Sequence, residues 1–297
     1  MIHQSLAILF EIGIYHHLLS SSSLSKWSVY GFLGVSGAIT LAYLALLVYR
    51  NKQWGRPFSR ATIRSSYGAV RASIQLSRPL KLDAGQYILL WMPIDVRSIL
   101  QTRPFVVTSW AEVHQRSLDL YIQPRGGFTS RLLRTCQGDE TIAVQHRVLI
   151  SGPHDVSEPV WDQTSVLVIA TGAGIAAMLP YMTKVIHGYR VGKGRTRRMH
   201  LVWEMKNLES VNAVRPLLNS ALDDDSLGDG KVNRDHGSYE AEHGKLPIAR
   251  VEMKFERAKG DMLILVSGAS KVKDEVIDFV GPHVAKNVMV RELDYQP

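Results

Sequence analysis

The chain of 297 residues is 45% hydrophobic and 21% charged, with a formal net charge of +8 at pH 7. Seven basic residues and no acid lie between Arg50 and Arg78, whereas residues 1–49 sum to zero and residues 79–297 to +1; this argues against a uniformly basic nucleic-acid binder and leaves no nucleic acid among the expected partners. A single cysteine, Cys136, excludes an internal disulfide framework and a multi-cysteine metal site.

The first elements are apolar. Val29–Tyr49 carries no charge, and about 20 apolar residues at ~1.5 Å rise cross a hydrocarbon core of ~30 Å. The basic cluster follows this run instead of preceding it, which fits a membrane helix better than a cleaved signal peptide. Ile2–Leu19 is also apolar apart from Glu11 and histidines, so two spans are expected, with the Arg50–Arg78 side cytoplasmic by the positive-inside bias. The basic collar is suited to anionic membrane lipid. His3 and His17 are fourteen residues apart, which on a helix is ~21 Å of rise and a return to within about 40° of the same face. Imidazoles so placed suit axial ligation of two stacked haems; histidines at a helix end, near the membrane interface, are the competing reading.

Beyond the collar, residues 61–150 read as short strands with turns (TIRSSYGAVRASIQL, GQYILLWMP, RPFVVTSW, LDLYIQP), the texture of a small antiparallel barrel. Strand–helix alternation follows: SVLVIA (Ser165–Ala170) into TGAGIAAML, HLVWEM (His200–Met205) before a helix near Glu209–Leu222, MLILVS (Met262–Ser267) before a helix over Lys271–Val280, then VMVREL. This pattern predicts a parallel doubly wound sheet. Asp223–Pro247 is polar and aperiodic and reads as a mobile insertion.

Two segments have the chemistry of phosphate cradles. Gly172 and Gly174 follow a buried strand, where a glycine turn lets backbone approach a pyrophosphate and the next helix offers free N–H groups. Arg103 on a strand ending at Thr108–Ser109, with Gly126–Gly127 and Thr129 opening a short helix, forms the second. Each alone also reads as an ordinary turn. Together they suggest two dinucleotides meeting face to face, the geometry of hydride transfer.

The order of these motifs resembles the fungal ferric reductase family, relatives of the NADPH oxidases whose carboxyl-terminal module is similar to plant ferredoxin reductases. The resemblance implies an α+β multi-domain chain: two amino-terminal transmembrane helices (1–50), an antiparallel β-barrel FAD domain (51–155) and a Rossmann-like α/β NADP domain (160–297) with the insertion at 223–247. It implies FAD contacts from Arg103, Pro104, Phe105, Val106, Thr108, Ser109, Gly126, Gly127 and Thr129. NADP contacts would come from Gly152, Pro153, Thr171, Gly172, Gly174, Ile175, Lys206, Ser267 and Gly268, with Lys206 on the 2′-phosphate. His3 and His17 would ligate haem b, and no side chain would act as a nucleophile.

The implied activity takes reducing equivalents from cytoplasmic NADPH through FAD and haem to ferric chelates outside a multi-pass membrane, the plasma membrane being expected. Val106, Asp155 and Ser267 depart from the residues usual in that pattern. The family uses about six helices, so the chain is expected to hold the last two, and an incomplete or non-catalytic fragment is one alternative. An oxidase-type enzyme reducing oxygen is the other.

Overall fold

The computed structural model describes residues 9–10, 12–14, 16, 20, 26–96, 98–99, 101–136, 143–205, 212–219, 237–243, 261–281 and 288–295. The chain divides into two compact units, Met1–Arg50 and Asn51–Pro297.

Helix α1 (Lys26–Asn51) dominates the first unit. No proline interrupts it and no charge lies between Trp27 and Tyr49, so nothing stops the helix and no face of it is polar enough to prefer water. Phe32, Leu41 and Ile39 are 70%, 68% and 65% exposed, an arrangement that suits hydrocarbon and not a protein core. Tyr30–Asn51 is the one helix among the described residues long and apolar enough to cross a membrane. In the expected first span, residues 9, 10, 12–14, 16 and 20 are helical; His3 and His17 lie outside the described residues.

In the second unit, strand periodicity sets two antiparallel sheets. In β1 (Arg60–Ser66) Ala61 and Ile63 are buried while Arg60 and Arg64 are exposed, the alternation of a half-covered strand. A two-residue turn at Tyr67–Gly68 returns the chain into β2 (Ala69–Leu80), with Arg64 opposite Arg71. With β5 (Gln115–Ile122) and β6 (Val144–Arg147) they form a four-stranded sheet ordered β5-β2-β1-β6. A three-stranded sheet, β4-β3-β7, joins β3 (Tyr87–Trp91), β4 (Thr102–Val106) and β7 (Leu149–His154). Helix α2 (Gly127–Cys136) contributes Phe128 and Leu132 to the core these sheets share with Ile63, Ile74, Ile88 and Phe105. Where one barrel ladder was expected, two sheets share a core.

The remaining strands form a parallel sheet ordered β10-β9-β8-β11-β12, with β8 (Ser165–Thr171), β9 (Arg198–Met205), β10 (Gly237–His243), β11 (Met262–Ser267) and β12 (Val288–Glu292). Six consecutive residues of β8 are buried, as a central strand covered on both faces requires. Helices α3 (Ile175–Arg190), α4 (212–219) and α5 (Ser270–Val280) complete the alternation. Strand β10 corrects the reading of 223–247 as aperiodic throughout: Gly237–His243 pairs with β9 in parallel register. The rest of that segment lies outside the described residues.

The antiparallel and parallel parts share a second core. Ala69, Ala84, Val106 and Tyr121 pack with Val160, Ala173, Ile175 and Tyr181. Val160, at the expected domain boundary, is fully buried, and Asn51–Pro297 forms one compact unit.

Candidate active site

In the parallel sheet the strand order reverses between β8 and β11, the switch point where open α/β sheets bind ligands outside their carboxyl ends. Thr171, Gly174, Ser267 and Gly268 meet there. The Thr171 hydroxyl accepts the Ala269 N–H at 2.7 Å. A Cβ on Gly174 would lie 2.6 Å from the Ser267 carbonyl oxygen and 2.9 Å from the Gly268 nitrogen, so this glycine is required by backbone crossing backbone. Gly172, with φ +52, is different: a Cβ there would meet nothing within 4 Å. Gly172 is therefore the residue that leaves space over the turn. No side chain caps α3, and its first-turn N–H groups and dipole favour an anion at that end.

Two details at this crevice point to a bound group. Ser267 Oγ is buried with no partner, although buried hydroxyls are normally satisfied. Trp203, 3% exposed, donates its indole N–H to the Gly172 carbonyl at 2.9 Å, which fixes the turn's orientation. Sequence reasoning missed Trp203; its place at the end of β9, opposite Ala170 of β8, was the available signal. Ile175 is fully buried. Gly152 and Pro153 lie on β7, joined by a cis peptide bond. Lys206 is outside the described residues.

The second cradle lies on the antiparallel part. Arg103 sits on β4 with its guanidinium 5.1 Å from the Phe128 ring centroid, donating from Nη2 to Gln101 Oε1 at 2.5 Å. Its Nε is buried and unpartnered. Burial first, and the neighbouring Arg131 cation second, draw the Arg103 pKa below its ordinary value. Arg131 pairs with Asp95 at 2.6 Å. Two adjacent guanidiniums, one with a donor unspent, make a diphosphate-type anion a fitting ligand.

Gly126 and Gly127, with φ +129 and +55, leave open space beside them. The Thr129 hydroxyl accepts the Arg125 N–H at 3.1 Å and donates to the Gly126 carbonyl at 3.0 Å, which shapes this loop. Phe105 and Val106 are core residues, 3% and 5% exposed, and Pro104 is half-buried beside them. Thr108 donates its hydroxyl to the Asp119 carbonyl at 2.9 Å, and Ser109 accepts the Asp119 N–H at 3.1 Å. Their visible task is to hold the end of β4 to β5.

Asp155, where a glycine is usual in the resembling pattern, has φ +75. The backbone there takes a conformation that glycine adopts freely and Asp tolerates better than most residues. Its carboxylate accepts the Val156 N–H at 2.8 Å, a local bond that helps hold it.

A flavin-type antiparallel part joined to a parallel nicotinamide-type sheet defines the class: a two-nucleotide reductase module. A family model for an FAD-binding domain matches residues 58–158, and one for a ferric reductase NAD-binding domain matches residues 163–257. The chain thus carries an FAD-binding domain followed by a ferric reductase NAD-binding domain, and it is similar to fungal ferric reductases. It is 25% identical over 240 residues to the probable cell surface ferric reductase kap2 of Aspergillus oryzae, covering 75% of this chain and 30% of that protein. It is 23% identical over 223 residues to ferric/cupric reductase transmembrane component 7 of Saccharomyces cerevisiae, covering 72% of this chain and 33% of that protein. The chain thus spans about a third of the length of these relatives.

Among solved structures, the ferredoxin-NADP+ reductase from Plasmodium falciparum shares the fold at TM-score 0.53 and 13% identity, covering 82% of this chain and 98% of that one. The cytochrome b5 reductase domain of Ulva prolifera nitrate reductase does so at 0.55 and 13%, covering 82% and 100%.

Proposed function

We propose that this chain is the reductase module and adjoining membrane segment of a ferric-chelate reductase, taking reducing equivalents from NADPH and delivering them, with FAD as resident cofactor, towards ferric chelates across a membrane. The supporting observation is that both anion cradles sit on parts of the chain joined by one buried core. When bound, FAD supplies the conversion between two-electron and one-electron transfer. Arg103 and the first-turn amides of α2 would hold its pyrophosphate. Gly172 and the start of α3 would hold that of NADPH, the unpartnered Ser267 hydroxyl would meet its nicotinamide end, and Lys206 its 2′-phosphate.

The protein's part is binding, orientation and exclusion of water; no side chain need act as a nucleophile. Helix α1 would anchor the module, with the basic residues 50–78 on the cytoplasmic side. Haem b at His3 and His17 remains part of the same proposal. The names of the Aspergillus and Saccharomyces relatives favour iron as the acceptor.

The test is direct. The chain extracted from membranes with FAD present is expected to retain flavin absorbance and to catalyse NADPH-dependent reduction of a dye and of ferric citrate. Failure to bind flavin overturns the proposal. Flavin and dye reduction without a haem band would confine the activity to the FAD and NADP domains and remove His3 and His17 from the scheme.

A further inference from the structure

The β1–β2 hairpin contains a charge arrangement that the nucleotide cradles do not use. Arg64 of β1 and Arg71 of β2 are register partners, and like charges directly opposite one another across strands repel. Among the described residues neither guanidinium has an ion-pair partner. They line a cavity of about 530 Å³ on the outer face of this sheet, together with Thr62, Ser66, Ser73 and Asp119. Asp119 is the one acid there. Two guanidiniums and several hydroxyls around one concavity are a donor set for phosphate oxygens.

The turn between the two arginines adds an independent observation. Tyr67 and Gly68 both have positive φ, +47 and +75, as a two-residue hairpin turn of the favoured hand requires. Asn or Gly normally fills the first of these positions, and a bulky residue there is strained. Tyr67 is not a core residue that would compensate the strain by full burial: it is 49% exposed. A strained position thus holds a half-exposed aromatic with a polar tip, three residues after Arg64 and four before Arg71.

An aromatic of this kind favours the headgroup level of a bilayer, where one end is apolar and the other wet. At ~3.3 Å per residue, the arginines lie about 10 Å behind it along the strands. Eight residues separate α1, which is apolar enough to span a membrane, from β1.

We infer that the tip of the β1–β2 hairpin is a membrane-surface contact, in which Tyr67 enters the headgroup layer and Arg64 and Arg71 bind the phosphates of anionic phospholipid. The exposed ring beside the cavity selects lipid over a free phosphate, which would need only the guanidiniums. This contact is independent of the reductase reading and stands or falls by its own test.

The full chain is placed in nanodiscs of phosphatidylcholine, with or without phosphatidylserine, each containing a phosphatidylserine trace with a photoreactive headgroup. Cross-links are mapped by mass spectrometry. In the anionic discs residues 64–73 are expected to be labelled. The label should be lost in the Arg64→Gln/Arg71→Gln double variant and reduced in Tyr67→Asn. Tyr67→Asn places a preferred residue in the turn, so its thermal midpoint should match or exceed that of the unmodified chain while lipid contact falls, which separates lost contact from lost fold. Absence of label at 64–73, or equal labelling in all three chains, overturns the inference. Complete displacement by millimolar inorganic phosphate would assign the cavity to a soluble anion and overturn it as well.

Discussion

Gly172 and Gly174 are two residues apart in the turn after β8 and meet different surroundings. Gly174 is packed against the Ser267–Gly268 backbone, whereas the space beside Gly172 is open. Gly174→Ala is therefore expected to destabilise the chain by about 2–3 kcal/mol, the scale of overpacking against unyielding backbone. Gly172→Ala should cost about 1 kcal/mol of strain at φ +52 and raise the KM for NADPH, with flavin retained. Denaturant titration and steady-state kinetics on the two variants check this; equal stability losses would mean that both glycines are structural.

The glycine spacing was legible in the sequence, but the division of labour was not, because the backbone that crowds Gly174 lies more than ninety residues further on. Asp155 is the converse case. The sequence showed a departure from the glycine of the resembling pattern, and only the φ of +75 shows that the glycine-like conformation was kept.

At the scale of elements, legibility followed burial. The run SVLVIA is entirely inside and reads plainly as a central strand. Among the described residues, strand β10, GSYEAEH, is the end strand of the sheet, where charged residues are favoured because they discourage further pairing. Its apolar pattern is therefore weak. The β1–β2 hairpin was hidden in one continuous run because Tyr-Gly is not the usual hairpin dipeptide.

The role of the carboxyl-terminal residues was not legible in the sequence. Tyr295 is 5% exposed, donates its hydroxyl to the Tyr121 carbonyl at 2.7 Å and accepts the Gln123 N–H at 2.9 Å. Burial foremost, reinforced by Tyr121, holds the Tyr295 pKa well above its ordinary value, so the phenol remains a donor at any physiological pH. Tyr295→Phe leaves two backbone groups at the end of β5 without this partner and is expected to cost about 1–2 kcal/mol. Chemical denaturation measures the loss, and hydrogen exchange should place it at the end of β5 and the carboxyl terminus.

At the scale of the whole molecule, hydride transfer between two nucleotides requires their sites to be held together, and the core shared by the antiparallel and parallel parts has ionic contacts at its margin, among them Lys184–Asp83 and the pairing of Glu112 with His187 and Lys193. Lys184 of α3, with only 10% of its side chain exposed, pairs with Asp83 of the β2–β3 connection at 2.8 Å. Lys184 also donates to Ser157 at 3.0 Å, and the Trp110 indole donates to Asp83 at 3.0 Å. Burial alone would raise the Asp83 pKa, but Lys184, the Ala84 N–H and Trp110 together bring it below the ordinary 3.8.

A carboxylate whose pKa is lower folded than unfolded contributes stability that is fully present above the unfolded value and disappears as pH falls through the folded one. Asp83→Asn leaves Lys184 mostly buried without its counter-charge. It is expected to cost about 1–2 kcal/mol at neutral pH, between an exposed pair and a fully buried one because Asp83 is 44% exposed. The unmodified chain begins to lose this contribution as the pH falls past 3.8 and has lost it below the lower folded-state pKa, so the two stability curves should converge in acid. Denaturation of both chains across that range decides the matter: a difference that stays constant into acid would show that shape and hydrogen bonding, not the Asp83 charge, hold the two domains at this margin.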